Sequence, residues 1–155
     1  MGNIVVKLPD GNNKELAAGS NGFDLANSIG AGLAKAAVAY TSNGIQKDLS
    51  DNLEDGSEVS IITINSDEGL EIMRHTLTAQ VLALAVKNLY PTAKLAIGPT
   101  IENGFYYDFY FDNSFSIDDL DNVEKEMHNI IKTQSTITKS LLAKNDAIKL
   151  FNGLE

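Results

Sequence analysis

The sequence predicts an α+β chain of two small units, and three observations predict it. Residues 3–64 alternate short apolar runs with turn signals in the order strand, strand, helix, strand, strand, strand. A long helical stripe then runs from Ser66 to Pro91. Beyond it lie strand candidates set off by Gly98-Pro99 and Glu102-Asn103-Gly104, and a second amphipathic helix. The first order suits a β-grasp sheet embracing one helix. A chain of 155 residues has room for two such cores, assigned here to 1–64 and 65–155.

Residues 3–8 are rich in Ile and Val, and Pro9-Asp10-Gly11-Asn12 supplies the turn to a returning strand at 14–17. Leu25, Ala26 and Ile29 share one face of a short helix after Asn21-Gly22, which Gly30 and Gly32 should stop. Residues 36–40 and 45–49 form a hairpin about Ser42-Asn43-Gly44, and 58–64 reads as a buried closing strand. Ser66 is the expected N-cap of the long helix, with Asp67 and Glu68 on its positive end. Leu70, Met73, Leu77, Val81, Leu84, Val86 and Leu89 form its expected inward stripe. Residues 94–97 and 104–111 are strand candidates. Ser116 should cap a helix over 116–132 that turns Leu120, Val123, Met127, Ile130 and Ile131 inward, with a strand at 136–142 and a last helix at 146–151 to follow.

Composition narrows the function. Without cysteine there is no disulfide, thiolate metal site or cysteine nucleophile, which fits a cytoplasmic protein. The N-terminus lacks the basic and apolar pattern of a secretory signal, and no stretch approaches the ~20 apolar residues of a membrane helix. A net charge of −9 opposes nonspecific binding to nucleic acid, DNA included, so any RNA contact needs a local cationic patch. Asp118, Asp119 and Asp121 lack calcium-loop spacing, and no metal site is expected.

Leu8-Pro9-Asp10-Gly11, Asp24-Leu25-Ala26, Leu33-Ala34-Lys35, Asn43-Gly44, Asp48-Leu49 and Val59-Ser60-Ile61-Ile62, in this order, resemble the TGS domain of threonyl-tRNA synthetases and some regulatory GTPases. The stretch Lys94-Leu95-Ala96-Ile97-Gly98-Pro99-Thr100-Ile101-Glu102-Asn103-Gly104-Phe105-Tyr106-Tyr107-Asp108 is similar to the threonyl-tRNA synthetase editing-domain signature. Asp67 to His75 and Ala85 to Pro91 match that family's entry into and exit from its long helix. The resemblance implies a β-grasp TGS domain followed by the first part of an editing domain of the threonyl/alanyl-tRNA synthetase type, without the aminoacylation core. ATP, Mg and Zn would then belong only to the absent catalytic domain, with no cofactor in this chain. It further implies a role in recognising the acceptor end of tRNA(Thr) and in hydrolysing mischarged Ser-tRNA(Thr), because binding alone separates serine from threonine poorly. The full-length parent is expected to be a homodimer and the fragment a monomer.

The resemblance also names site candidates: His75 as a catalytic residue, and Gly98, Pro99, Asn103 and Tyr107 as substrate- or tRNA-binding residues. The family places two histidines at i, i+4 on the long helix, one face of which can position a water. Here the segment reads Arg74-His75-Thr76-Leu77-Thr78-Ala79-Gln80-Val81, as if one residue were inserted and the second histidine replaced by glutamine. An extra residue rotates everything beyond it by about 100° unless a π-bulge absorbs it. Aligning Thr76 and Gln80 with the pair keeps the spacing and loses both imidazoles. The family's opposing Cys-x-x-x-His element is missing too, so the chain alone is expected to be inactive in deacylation.

Plainer readings stand beside these. His75 is either a hydrogen-bonded or exposed helix residue or part of a pocket, and His128 is a solvated helix residue. Gly98-Pro99 and Glu102-Asn103-Gly104 can be pure backbone architecture. The aromatic run 105–111 alternates core and surface more economically than it stacks on bases. Arg74, Lys87 and Lys94 are either phosphate contacts or solubilising charges. The rival function is a free-standing TGS-containing binding or regulatory protein with a degenerate editing domain. A stand-alone hydrolase lacks the residues it needs. A sheet edge or apolar patch is expected to be exposed in the second unit.

Overall fold

The computed structural model describes residues 2–152, which divide into two compact units, one ending at Met73 and the other beginning at Arg74. The sequence pattern drew this line earlier, at residue 64, before the long helix.

In the first unit, Asn3–Lys7 (β1) and Asn13–Ala17 (β2) pair antiparallel. In the turn between them, Asp10 Oδ1 accepts the Asn12 N–H at 2.9 Å and Gly11 takes φ +83°. Asn21 caps Gly22–Ile29 (α1) in a reciprocal capping box with Asp24, and Leu25 and Ala26 are buried. Gly30 ends this helix, yet Ala31–Ala36 (α2) follows at once, so Gly32 lies within a helix instead of stopping one. Glycine costs only about 1 kcal/mol there, and the Ala, Leu and Lys around it are good helix formers.

Ala37–Ser42 (β3) is the central strand of a sheet with Ile45–Lys47 (β4) and Val59–Thr63 (β5). Asn43 and Gly44 join β3 to β4 with φ of 50° and 80°, the two left-handed residues of the hairpin turn that matches strand twist. β1 meets the approach to β5 in parallel: Lys7 bridges Glu58, and the Lys7 N–H donates to the Ser57 carbonyl at 2.9 Å. The spatial order β2-β1-β5-β3-β4 is the β-grasp arrangement read from the sequence. Its core is Val6, Leu25, Tyr40, Leu49, Leu53 and Val59, and a fully buried side chain such as Leu25 stabilises the fold by roughly 1.5–3 kcal/mol. The Tyr40 hydroxyl donates to the carbonyls of Asp51 and Asn52 at 3.1 and 3.2 Å.

The long helix begins as expected, with Ser66 Oγ accepting the Gly69 N–H at 3.1 Å. It runs as Asp67–Thr76 (α3), a π turn over Leu77–Leu82 and Ala83–Leu89 (α4). The Ala83 N–H reaches five residues back to the Thr78 carbonyl. Near the C-terminal end, Lys87 Nζ donates to the carbonyls of Pro91 and Ala93 at 2.6 and 3.0 Å. Val86 is buried as expected, but Thr78, Ala83 and Ala85 are buried beside it while Leu70, Met73, Leu84 and Leu89 are exposed. For Leu84 and Leu89, beyond the π turn, a stripe projected at constant pitch misses the register shift that the turn introduces.

The strands beyond are Lys94–Leu95 (β6), Thr100–Ile101 (β7), Gly104–Phe105 (β8) and Phe109–Tyr110 (β9), with β6 on β9 and β7 on β8. Bonds from Ala96 N–H to Asp108, Asp108 N–H to Ile97 and Tyr106 N–H to Pro99 carbonyls link the two ladders into one long hairpin. Ser116 and Asp119 cap a 3-10 turn leading into Leu120–Lys132 (α5). Val123 is buried with Ala85, Val86 and Ala93, and Phe109, Phe111, Met127 and Ile130 pack around them. Leu120 and Ile131 instead stay half exposed, because the helix has only one packed side.

Residues 136–142 form no strand, since no described segment pairs with them. Lys144–Phe151 (α6) closes the described chain. Leu141 is 90% exposed, and Ile137, Leu142, Ile148, Leu150 and Phe151 are exposed with it, so the expected apolar surface is present. Among the described residues no helix is long and apolar enough to cross a membrane.

Candidate functional site

The long helix carries Arg74 and Thr78 to the Gly98–Tyr107 hairpin. Arg74 and Thr78 stand four apart, on one helical face. Thr78 is fully buried, and its hydroxyl donates back to the Arg74 carbonyl at 2.7 Å. Its methyl reaches Gly98, where an added Cβ would lie 3.0 Å from it and 2.7 Å from Tyr107 Cγ. The Arg74 guanidinium donates at 2.8 Å to the carbonyl of Glu102, in the turn joining β7 to β8. Helix and hairpin are thus fastened midway along the hairpin and at its tip.

Gly98 and Tyr107 are brought together, and Pro99 shares their strand pair through its carbonyl. Asn103 lies apart, exposed in the tip turn. His75 is exposed and has no hydrogen-bond or ion-pair partner among the described residues. Ala79 and Gln80 both fall inside the π turn and are exposed, and no second imidazole stands beside His75 among the described residues. His128 is exposed, with Glu124 one turn away at 3.7 Å. Arg74 appeared in the sequence only as one of three cations, and Thr78 not at all. A threonine in the middle of an apolar helical stripe was the available signal.

Along the hairpin, Tyr107, Phe109 and Phe111 face inward while Tyr106, Asp108 and Tyr110 face out. Tyr107 and Phe109 rings lie 4.4 Å apart, and Phe111 stacks on Phe115 at 4.6 Å with Tyr90 edge-on. The Tyr90 hydroxyl donates to Asp119 Oδ1 at 3.0 Å. Loss of solvent, then the carboxylate, pushes that hydroxyl's pKa up. The Ser116 N–H, then the Tyr90 and Ser116 hydroxyls, hold Asp119 below the ordinary carboxylate value. These rings are packing, not a free stacking platform.

Two further concavities exist. In the first unit a cleft of about 550 Å³ lies between the Leu8-Pro9-Asp10-Gly11 turn, Thr41, Gly44 and Glu58–Ser60, with Lys7 paired to Glu58 at 2.6 Å. In the second, a groove of about 700 Å³ runs between Gln80, Val81, Leu84 and Asn88 on one side and α5 with residues 133–138 on the other. Among the described residues no three His, Cys, Asp or Glu side chains stand close enough to hold a metal ion.

Comparison with known proteins bears on both units. The TGS domain family matches residues 4–63. A threonine–tRNA ligase of Citrifermentans bemidjiense is 50% identical over 154 residues, 99% of this chain and 24% of that protein. Those of Acidithiobacillus ferrooxidans and Legionella pneumophila are 47% and 46% identical over 94% and 96% of this chain, and 22% and 23% of their own lengths. The chain therefore spans about a quarter of the length of these relatives. Residues 4–63 match the TGS domain family, and the chain over nearly its whole length is similar to the N-terminal region of threonine–tRNA ligases.

Proposed function

We propose that this chain serves tRNA recognition and editing within a threonine–tRNA ligase, its setting the cytoplasm and its partner the acceptor end of tRNA(Thr). The observation that carries the reading is the similarity to such ligases over 154 residues, 99% of this chain, and so over both units. In this reading the TGS unit and the Arg74–Tyr107 platform hold the RNA, with Gly98, Pro99, Asn103 and Tyr107 beside the substrate. The complete ligase works as a homodimer and this chain is a monomer.

Hydrolysis of a seryl ester needs a water held between proton-accepting groups. His75 offers one unpaired imidazole, and Gln80 is a carboxamide that can orient a water but not take its proton. The chain alone is therefore inactive in deacylation. ATP, Mg and Zn serve aminoacylation elsewhere in the ligase. The test is to incubate the purified chain with Ser-tRNA(Thr). No hydrolysis above background is expected, and hydrolysis abolished by His75→Ala would overturn the reading. Retarded migration of tRNA(Thr), lost at high salt, is the expected sign of binding.

A further inference from the structure

We infer that Arg74 and Thr78 are positioning residues, which hold the exposed Glu102-Asn103 turn of the hairpin at a set place on the long helix. The inference rests on the proposed RNA-binding reading only for what the turn would contact. The clamp itself stands on geometry.

A hairpin closed by two-residue ladders is weakly held on its own. The bond next to its outer ladder, from Tyr106 N–H to the Pro99 carbonyl, is long at 3.3 Å. Two fastenings to the helix compensate. Gly98, midway along the hairpin, rests on the Thr78 methyl, a seat that glycine alone permits. Glu102 at the tip gives its carbonyl to Arg74. The two helix residues are themselves joined, Thr78 hydroxyl to Arg74 carbonyl, so middle and tip are held by one turn of helix.

The π turn begins immediately beyond Thr76. It holds one residue more than an α-helix would, between Arg74 and the packed end of the helix at Ala85 and Val86. A regular helix of the same length would rotate one against the other by about 100°. Arg74 thus acts through the backbone it fixes.

The experiment is site-resolved amide hydrogen exchange on the full 155-residue chain and its variants. Arg74→Met is expected to speed exchange of the Tyr106 amide about tenfold or more, while the Lys7 and Tyr90 amides, bonded outside the hairpin, change less than about twofold. Arg74→Lys, which keeps a donor, should restore protection to within about threefold. Thr78→Val, which keeps the shape and loses the hydroxyl, should speed Tyr106 exchange and add little on top of Arg74→Met, since the two act as one unit. An unchanged Tyr106 rate in Arg74→Met, or no rescue by lysine, overturns the clamp. Binding of a short RNA hairpin ending in an acceptor-like single strand is measured in parallel. If exchange responds and RNA binding does not, the clamp stands and the RNA reading of the turn fails.

Discussion

Gly69 sits so close to the end of β5 that a methyl group on its Cα would run into the carbonyl oxygen of Thr63. The contact sets where the long helix may start, because Ser66 must also reach the Gly69 N–H as its cap. Elsewhere in a helix, replacing glycine by alanine gains about 1 kcal/mol. Here the sign reverses. Gly69→Ala is expected to destabilise the first unit by about 2–4 kcal/mol, read from chemical denaturation, whereas Gly104→Ala, with open space around it, should change stability by less than about 1 kcal/mol.

Tyr40 links the core to the loop after β4 through two carbonyls. Tyr40→Phe is expected to cost about 1–2 kcal/mol. Burial first, then Asp51, Glu54 and Asp48, raise the hydroxyl's pKa above its ordinary 10.0. The folded state therefore holds this proton more tightly than the unfolded chain. The contribution is whole below pH 10.0 and is lost as pH rises through the folded pKa. Denaturation midpoints between pH 9 and about 11.5 should fall more steeply in the parent than in Tyr40→Phe.

Asp119 carries the opposite sign. Its folded pKa lies below the ordinary 3.8, so its contribution is present above that value and is lost as pH falls through the folded one. Asp119→Asn is expected to lower the melting temperature at neutral pH, and the gap to the parent should close in strong acid. A gap that persists unchanged there would assign the loss to packing.

The π turn makes an unusual forecast about deletion. Removing one residue from an α-helix ordinarily turns its far half by about 100°. Because the wide turn over 77–82 already holds one residue more than an α-helix would, deletion of Ala79 should leave a regular helix with both flanks in place. Stability within about 1 kcal/mol of the parent, with unchanged helical circular dichroism, is the expected outcome. Collapse of the second unit would show that the turn carries packing of its own.

Leu141, almost wholly exposed, should be indifferent to the fold. Leu141→Glu is expected to alter stability by less than about 0.5 kcal/mol and to reduce binding of a hydrophobic dye.

Local chemistry carried much of this protein into view. Asn21, Ser66 and Ser116 marked helix starts because a side-chain oxygen must meet free N–H groups there, and Asn43-Gly44 marked its hairpin because two left-handed residues are needed. Alternation along 105–111 called for a core side and a surface side, and the rings do alternate, with Tyr107, Phe109 and Phe111 inward. The departure from an i, i+4 histidine pair was equally legible, together with the two ways a helix could accommodate it.

What only the tertiary structure decided was which of those ways applies and what it holds. A π turn and a rotated helix have the same sequence, and the choice depends on Ala85, Val86 and Val123 packing together downstream. That Thr78 would be buried beneath Gly98, and Arg74 tied to Glu102, depends on segments about 20 to 28 residues apart meeting in space, which no local periodicity encodes. The stretch 136–142 has the composition of a strand and is none, because a strand exists only with a partner to bond it.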